Sequence, residues 1–245
     1  MLVHLVLAPT IRFHRPGDEP DRPLLGREGL LMVAVRAWVR WRRRVFGAPH
    51  LVAHDGPRFT RLLDLAGTAP AEVARMVTTG VRAGDPVAAW SIAVLAAGGK
   101  APEGSVALLR DAASGAAGPL LVRVAQALRV LTGDESWADP IVSVLASDLG
   151  ERVRFAAATA LADFAPTPRL VEALSQAARD PEYLVRYHAA DTLRRYAGHD
   201  TGIADLPEVL DEIARTADDE TTPDRRADWD EVADRLVADA LRRCD

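Results

Sequence analysis

Residues 167–193 read TPRLVEALSQAARDPEYLVRYHAADTL, and the fold turns on this stretch. It divides into an outer helix, TPRLVEALSQAARD, and an inner helix, PEYLVRYHAADTLRRYAG, separated by the Asp180-Pro181 turn. The Val185-Arg186 pair that starts the inner helix recurs 32 residues earlier as Val153-Arg154 in ERVRFAAATALADFA. A further 31 residues back stands Val122-Arg123 in PLLVRVAQALRVL, and 32 before that Trp90-Ser91 in DPVAAWSIAVLA. Asp85, Asp148 and Asp180 each precede their anchor by six residues. Four copies at a period of 31–32 residues, the first two degenerate, define a repeat architecture.

Working outward, each inner helix has an outer partner: APAEVARMVTTGVRAG, PEGSVALLRDAAS and SWADPIVSVLASD for the first three copies. A last pair, LPEVLDEIARTA and DWDEVADRLVADALRRC, follows. No segment alternates with the period of two that a strand requires, so the reading is all-α. The Asp-Pro turn, the Val-Arg start, the Ala-Ala centre and the closing Leu resemble HEAT repeats of the short bacterial type, including those related to phycobilin lyases. The resemblance is strongest over residues 136–198, weaker over 70–133 and absent over 1–57. It implies a right-handed α-α superhelix of about four to five helix pairs, with a divergent N-terminal helical segment. The expected organisation is a flexible leader over 1–27 and an amphipathic basic helix and loop over 28–57 that caps the N-terminal end. Repeats then span 58–198, and an acidic helical pair over 199–245 caps the other end.

On a helical wheel with the anchor at zero, positions −1, +1, +3, +4 and +7 are Val153, Phe155, Ala157, Ala158 and Leu161 in the third copy. In the fourth they are Val185, Tyr187, Ala189, Ala190 and Leu193. They span about 200° of arc, wider than the ~100° stripe of a surface helix, so the inner helix is buried on two sides. Arg154 and Arg186 lie mid-arc and need partners; the HEAT resemblance implies a ladder joining them to Asp148 and Asp180. The opposite arc carries Arg152, Ala156, Thr159 and Asp163, then Leu184, His188, Asp191 and Arg195. It is expected to line the concave surface, where solenoids bind partners.

Charge is uneven along the chain. The formal net of −5 divides into +5 over residues 1–60 and −10 over the rest, and residues 199–245 hold 15 Asp/Glu against six Arg. Arg36, Arg40, Arg42, Arg43 and Arg44, interleaved with Trp38, Trp41 and Phe46, form a basic segment. It is expected above all to cap the solenoid, with Leu31, Val35 and Trp38 inward; contact with an acidic protein segment, a lipid surface or nucleic acid is secondary.

Motifs for chemistry are sparse. His50 and His54 have i, i+4 spacing beside Asp55, but Pro49, Gly56 and Pro57 argue for a loop and no third ligand follows, so no metal is expected. AVLAAGGKAP lacks the first Gly and the Ser/Thr of a phosphate loop and reads as a helix end. The run DDETTPDRRADWDE lacks an EF-hand pattern; Asp228 and Glu231 read instead as a capping arrangement. Cys244 is the single cysteine, excluding an internal disulfide, and no cofactor or catalytic residue is assigned. The expected function is a non-enzymatic, cytoplasmic scaffold that binds another protein on the concave face. The alternatives are an enzyme like the HEAT-like alkylpurine DNA glycosylases, with Trp137 and Asp139 as its nearest candidates, or a phycobilin-lyase-like protein. Acidic repeats speak against nucleic acid, and no small-molecule substrate is expected.

Overall fold

The computed structural model describes residues 27–214 and 224–244, with residues 27–31, 53–55, 214 and 224–228 described by backbone alone. The expected leader, Arg27 aside, lies outside the described residues. Every regular element among those described is helical. Three N-terminal helices, α1 (Arg27–Phe46), α2 (Pro49–Asp55) and α3 (Thr60–Thr68), precede five pairs. The pairs are α4 (Pro70–Arg82) with α5 (Pro86–Ala97), α6 (Ser105–Ala113) with α7 (Gly118–Thr132), α8 (Ala138–Leu145) with α9 (Glu151–Leu161), α10 (Pro168–Ala177) with α11 (Tyr183–Tyr196), and α12 (Pro207–Ala214) with α13 (Asp224–Leu241).

Local chemistry sets these boundaries. Proline occupies the first turn of α2, α4, α5, α7 and α10, where its missing N–H costs nothing. Asp85 caps α5 by accepting from Val87 N at 2.9 Å, and Thr167 caps α10 by accepting from Leu170 N at 3.2 Å. Two expectations are corrected. Residues 49–55 are helical rather than loop, because Pro49 and Gly56 act as start and stop signals around a seven-residue helix. Asp228 is not an N-cap, because α13 already runs from Asp224.

The inner helices α5, α7, α9 and α11 lie side by side, and α4, α6, α8 and α10 cover them. Alanines at the centre of each inner helix permit the approach: Ala88, Ala89, Ala125, Ala127, Ala157, Ala158, Ala189 and Ala190 are all buried. Two bonds tie α11 to α9: the Thr192 hydroxyl donates to the Ala158 carbonyl at 3.0 Å and the Tyr196 hydroxyl to the Leu161 carbonyl at 2.6 Å. The apolar interior falls into two clusters that divide at α7. Val124, Ala127 and Leu128 belong with α1–α6, Val122 and Ala125 with α8–α13, and Trp137 packs against both. At the C-terminal end α13 lies against α10, α11 and α12.

The N-terminal segment is built into the first repeat. Trp38, Trp41, Val45 and Phe46 are buried, and α1 lies chiefly on α4. Gly80 makes that contact close: a Cβ there would stand 2.6 Å from Trp38 Cε2 and 2.6 Å from Ala88 Cβ. A run of ring contacts continues from Trp38 through Trp41, Phe46 and Phe59 to Trp90 on α5, with centroid separations of 5.6, 6.0, 5.8 and 5.1 Å. The inward placement of Trp38 agrees with the sequence reading; Val35 is half-buried, and the Leu31 side chain lies outside the described residues.

Candidate partner-binding face

The Asp–Arg ladder is present but incomplete. Arg154 grips Asp180 of the following repeat with two parallel bonds, Nε to Oδ2 and Nη2 to Oδ1, both 2.9 Å. The side chains are only 14% and 13% exposed, and the Asp180 bond raises the Arg154 pKa above the usual arginine range. Asp180 Oδ1 also accepts from Glu182 N at 2.9 Å, so one carboxylate both shapes the turn into α11 and binds the arginine.

The other ladder residues depart from expectation. Arg186 is buried and donates to backbone carbonyls of Asp180, Pro181 and Ile213 at 2.6–3.1 Å, with its guanidinium 3.9 Å from the Trp229 ring centroid. Burial lowers its pKa, while Asp180 and Glu182 oppose the shift. The Asp180 carboxylate is already engaged by Arg154, and Arg186 meets instead the carbonyls of its own Asp180-Pro181 turn together with the Ile213 carbonyl and the Trp229 indole of the following pair. Asp148 is exposed and takes part in no ion pair among the described residues. The arginine one repeat before it, Arg123, instead lies 3.6 Å from the Trp90 ring centroid and donates to Gln126 Oε1 at 2.8 Å.

A rung that sequence reasoning missed sits at the N-terminal end. Asp85 accepts from Trp38 Nε1 at 2.8 Å and forms an ion pair with Arg42 Nε at 2.9 Å, without hydrogen-bond directionality. Arg44 and Trp41 Nε1 both donate to Glu72 Oε1, at 2.8 and 2.9 Å. Of the basic segment, Arg42 and Arg44 therefore hold α1 to the repeats, whereas Arg36, Arg40 and Arg43 are exposed.

The residues expected on the concave surface differ in exposure. Arg152, Thr159, Asp163, Leu184 and Arg195 are exposed; Ala156, His188 and Asp191 are half-buried. Side chains bridge this face from helix to helix. Gln126 Nε2 donates to Asp163 Oδ2 at 2.7 Å across α7 and the end of α9. Burial draws the Arg123 pKa down while Asp163 opposes it. Between α9 and α11, Phe155 stacks on His188 at 5.1 Å and 24°, and Tyr187 meets His188 edge-on at 5.1 Å. Phe155 and Tyr187 at position +1, with Val153, are thus half-buried rather than core, because the next inner helix leaves their outer edges open. Burial lowers the His188 pKa and Arg195 adds to the effect, while Asp191 opposes it, so the imidazole is neutral at pH 7. Asp191 accepts from Ile203 N at 3.1 Å and Arg195 Nε at 3.3 Å, and so supports the turn beyond α11.

Elsewhere, a groove of about 500 Å³ opens between α8 and α10, lined by Val142, Leu145 and Ala173 and by the Arg154–Asp180 pair. Trp137 is half-buried and packs against both core clusters, and Asp139 pairs with Arg169 of the next outer helix at 2.6 Å. Among the described residues no cluster of three His, Cys, Asp or Glu could hold a metal; the side chains of His54 and Asp55 lie outside them. No helix among the described residues is long and apolar enough to cross a membrane.

Stacked helix pairs with one continuous inner face define an α-solenoid. A family model of HEAT repeats matches residues 106–194 and 138–229, just over half of the 245-residue chain, and the chain belongs to the HEAT-repeat family. Such repeats generally mediate protein–protein interaction. Neither the curated proteins nor the solved structures contain a match.

Proposed function

We propose that this protein is a non-enzymatic interaction module that docks a protein partner on the inner-helix face of α9 and α11. The observation that carries the reading is the aromatic patch Phe155–His188–Tyr187, rimmed by Leu184, Arg152, Thr159 and Arg195. Half-buried aromatic groups held rigid by their neighbours bind at small entropic cost, and a rim of mixed charge supplies orientation. A neutral His188 adds a ring face without a desolvated charge.

Affinity capture from the native host tests the proposal. Arg152→Glu with Leu184→Glu alters exposed side chains that the fold does not use. A partner enriched by wild-type protein and lost with this variant supports the face; equal recovery refutes it. Asp163 and Asp191 are poorer targets, since Asp163 accepts a bond from the preceding repeat and Asp191 one that supports the turn beyond α11.

A further inference from the structure

The core takes one side of α1, and Arg42 and Arg44 are taken up by Asp85 and Glu72. The other side carries Met32, Val33, Arg36, Val39, Arg40 and Arg43. At ~100° per residue these six fall within about 120° of arc, on a helix ~30 Å long. All are exposed, with Met32, Val33 and Val39 at 55%, 51% and 56%. The side chains of Arg36, Arg40 and Arg43 make no hydrogen bond or ion pair with any described residue, and no carboxylate falls within the arc between residues 32 and 43.

We infer that this face of α1 rests on an anionic lipid surface, with the helix axis in the interfacial plane. Apolar side chains and cations share one face, which is the composition that partitions into the boundary between headgroup and acyl chain. The arginine stems lie along the apolar surface while their guanidinium groups meet lipid phosphates and carboxylates. A nucleic acid would engage the cations but leave two valines and a methionine in water. The acidic helices of the same chain are packed at the opposite end of the stack, on α10 and α11. Each basic side chain near an anionic surface raises partitioning about fivefold, so the three together contribute about 100-fold. This contact lies at the N-terminal end of the solenoid and leaves the α9–α11 face open.

Sedimentation of the full chain with vesicles tests the inference, comparing pure phosphatidylcholine with phosphatidylcholine containing phosphatidylserine. Wild-type protein is expected to pellet with the anionic vesicles only. The combined variant Arg36→Glu, Arg40→Glu, Arg43→Glu is expected to lose about 100-fold or more in partitioning with an unchanged helical spectrum, since none of the three supports the cap. Val39→Asp is expected to weaken pelleting severalfold. Absence of wild-type pelleting, or equal pelleting of the triple variant, overturns the inference. So does binding that ignores Val39→Asp and transfers to a DNA duplex, which would mark an electrostatic contact with a polyanion. Self-association without vesicles that the triple variant abolishes would assign the face to a second copy and overturn it as well.

Discussion

Replacing Gly80 with alanine separates helix propensity from packing. In the interior of α4 the substitution by itself favours the helix by about 1 kcal/mol. The added Cβ, however, meets Ala88 Cβ and Trp38 Cε2 at 2.6 Å and Trp38 Cζ2 at 2.7 Å. Ordinary contact needs roughly an ångström more, so α1 or the indole must move. The indole is not free to do so, because its N–H is bonded to the Asp85 carboxylate at 2.8 Å. Overpacking of this kind costs about 1–3 kcal/mol, and loss of a bond to a charged acceptor adds about 1.5–3 if it occurs. Set against the helix gain, the net expectation is destabilisation by up to about 2 kcal/mol with the indole bond kept and by about 1.5–5 kcal/mol with it lost, the thermal midpoint falling about 2–4 °C per kcal/mol. Gly67 in α3 is the comparison: its Cβ would come no nearer than 3.8 Å to any group, that of Lys100 Nζ. There alanine should be neutral or stabilising by up to about 1 kcal/mol. Urea unfolding followed by tryptophan fluorescence and circular dichroism reads both, since Trp38 and Trp41 report the α1–α4 contact. Combining Gly80→Ala with Trp38→Leu should be less than additive. If Gly80→Ala is instead stabilised by the ~1 kcal/mol that helix propensity alone predicts, the close docking of α1 on α4 is wrong.

Further tests address the ladder, the inner face and its titration. Asp180→Ala should cost about 1–3 kcal/mol in urea unfolding, because it leaves a half-buried guanidinium without its carboxylate, whereas Arg154→Met with Asp180→Leu should recover at least half of that; independent, additive effects would argue against the pair. Thr192→Val should cost about 1 kcal/mol through the lost bond to Ala158, while Thr159→Val, at an exposed hydroxyl bonded within its own helix, should stay within ~0.5 kcal/mol. His188 binds its proton less readily folded than unfolded, so its contribution to stability is fully present above the unfolded pKa of ~6.5 and is lost as pH falls from there through its lowered folded value. Thermal melts from pH 7.5 to 4.5 should therefore show a smaller acid-side loss for His188→Gln than for wild type, and parallel curves would refute the assignment.

Much of the fold was legible because stacking imposes a repeated requirement. Small residues must recur where inner helices touch, and Ala157, Ala158, Ala189 and Ala190 mark those points in the sequence and are buried in the structure. Arg154 and Asp180 were legible for the same reason, as one rung between two regular repeats. Arg42 was not, because α1 lies outside the 31–32-residue frame and only docking on α4 brings it to Asp85. The aromatic patch on α9 and α11 has a partial signal: helical spacing puts His188 on the open arc, but puts Phe155 and Tyr187 in the core.

The sequence by itself determined the helical class, the repeat period, the burial of the central alanines of the inner helices and the turns within the regular repeats. These follow from spacing along one chain, which helical geometry converts directly into direction. Tertiary structure decided which group answers each arginine: a carboxylate for Arg154 and Arg42, an indole and Gln126 for Arg123, carbonyls and an indole for Arg186. A guanidinium's partners come from its own turn or helix and from the neighbouring repeat together, and at the degenerate and terminal repeats those atoms no longer follow the period.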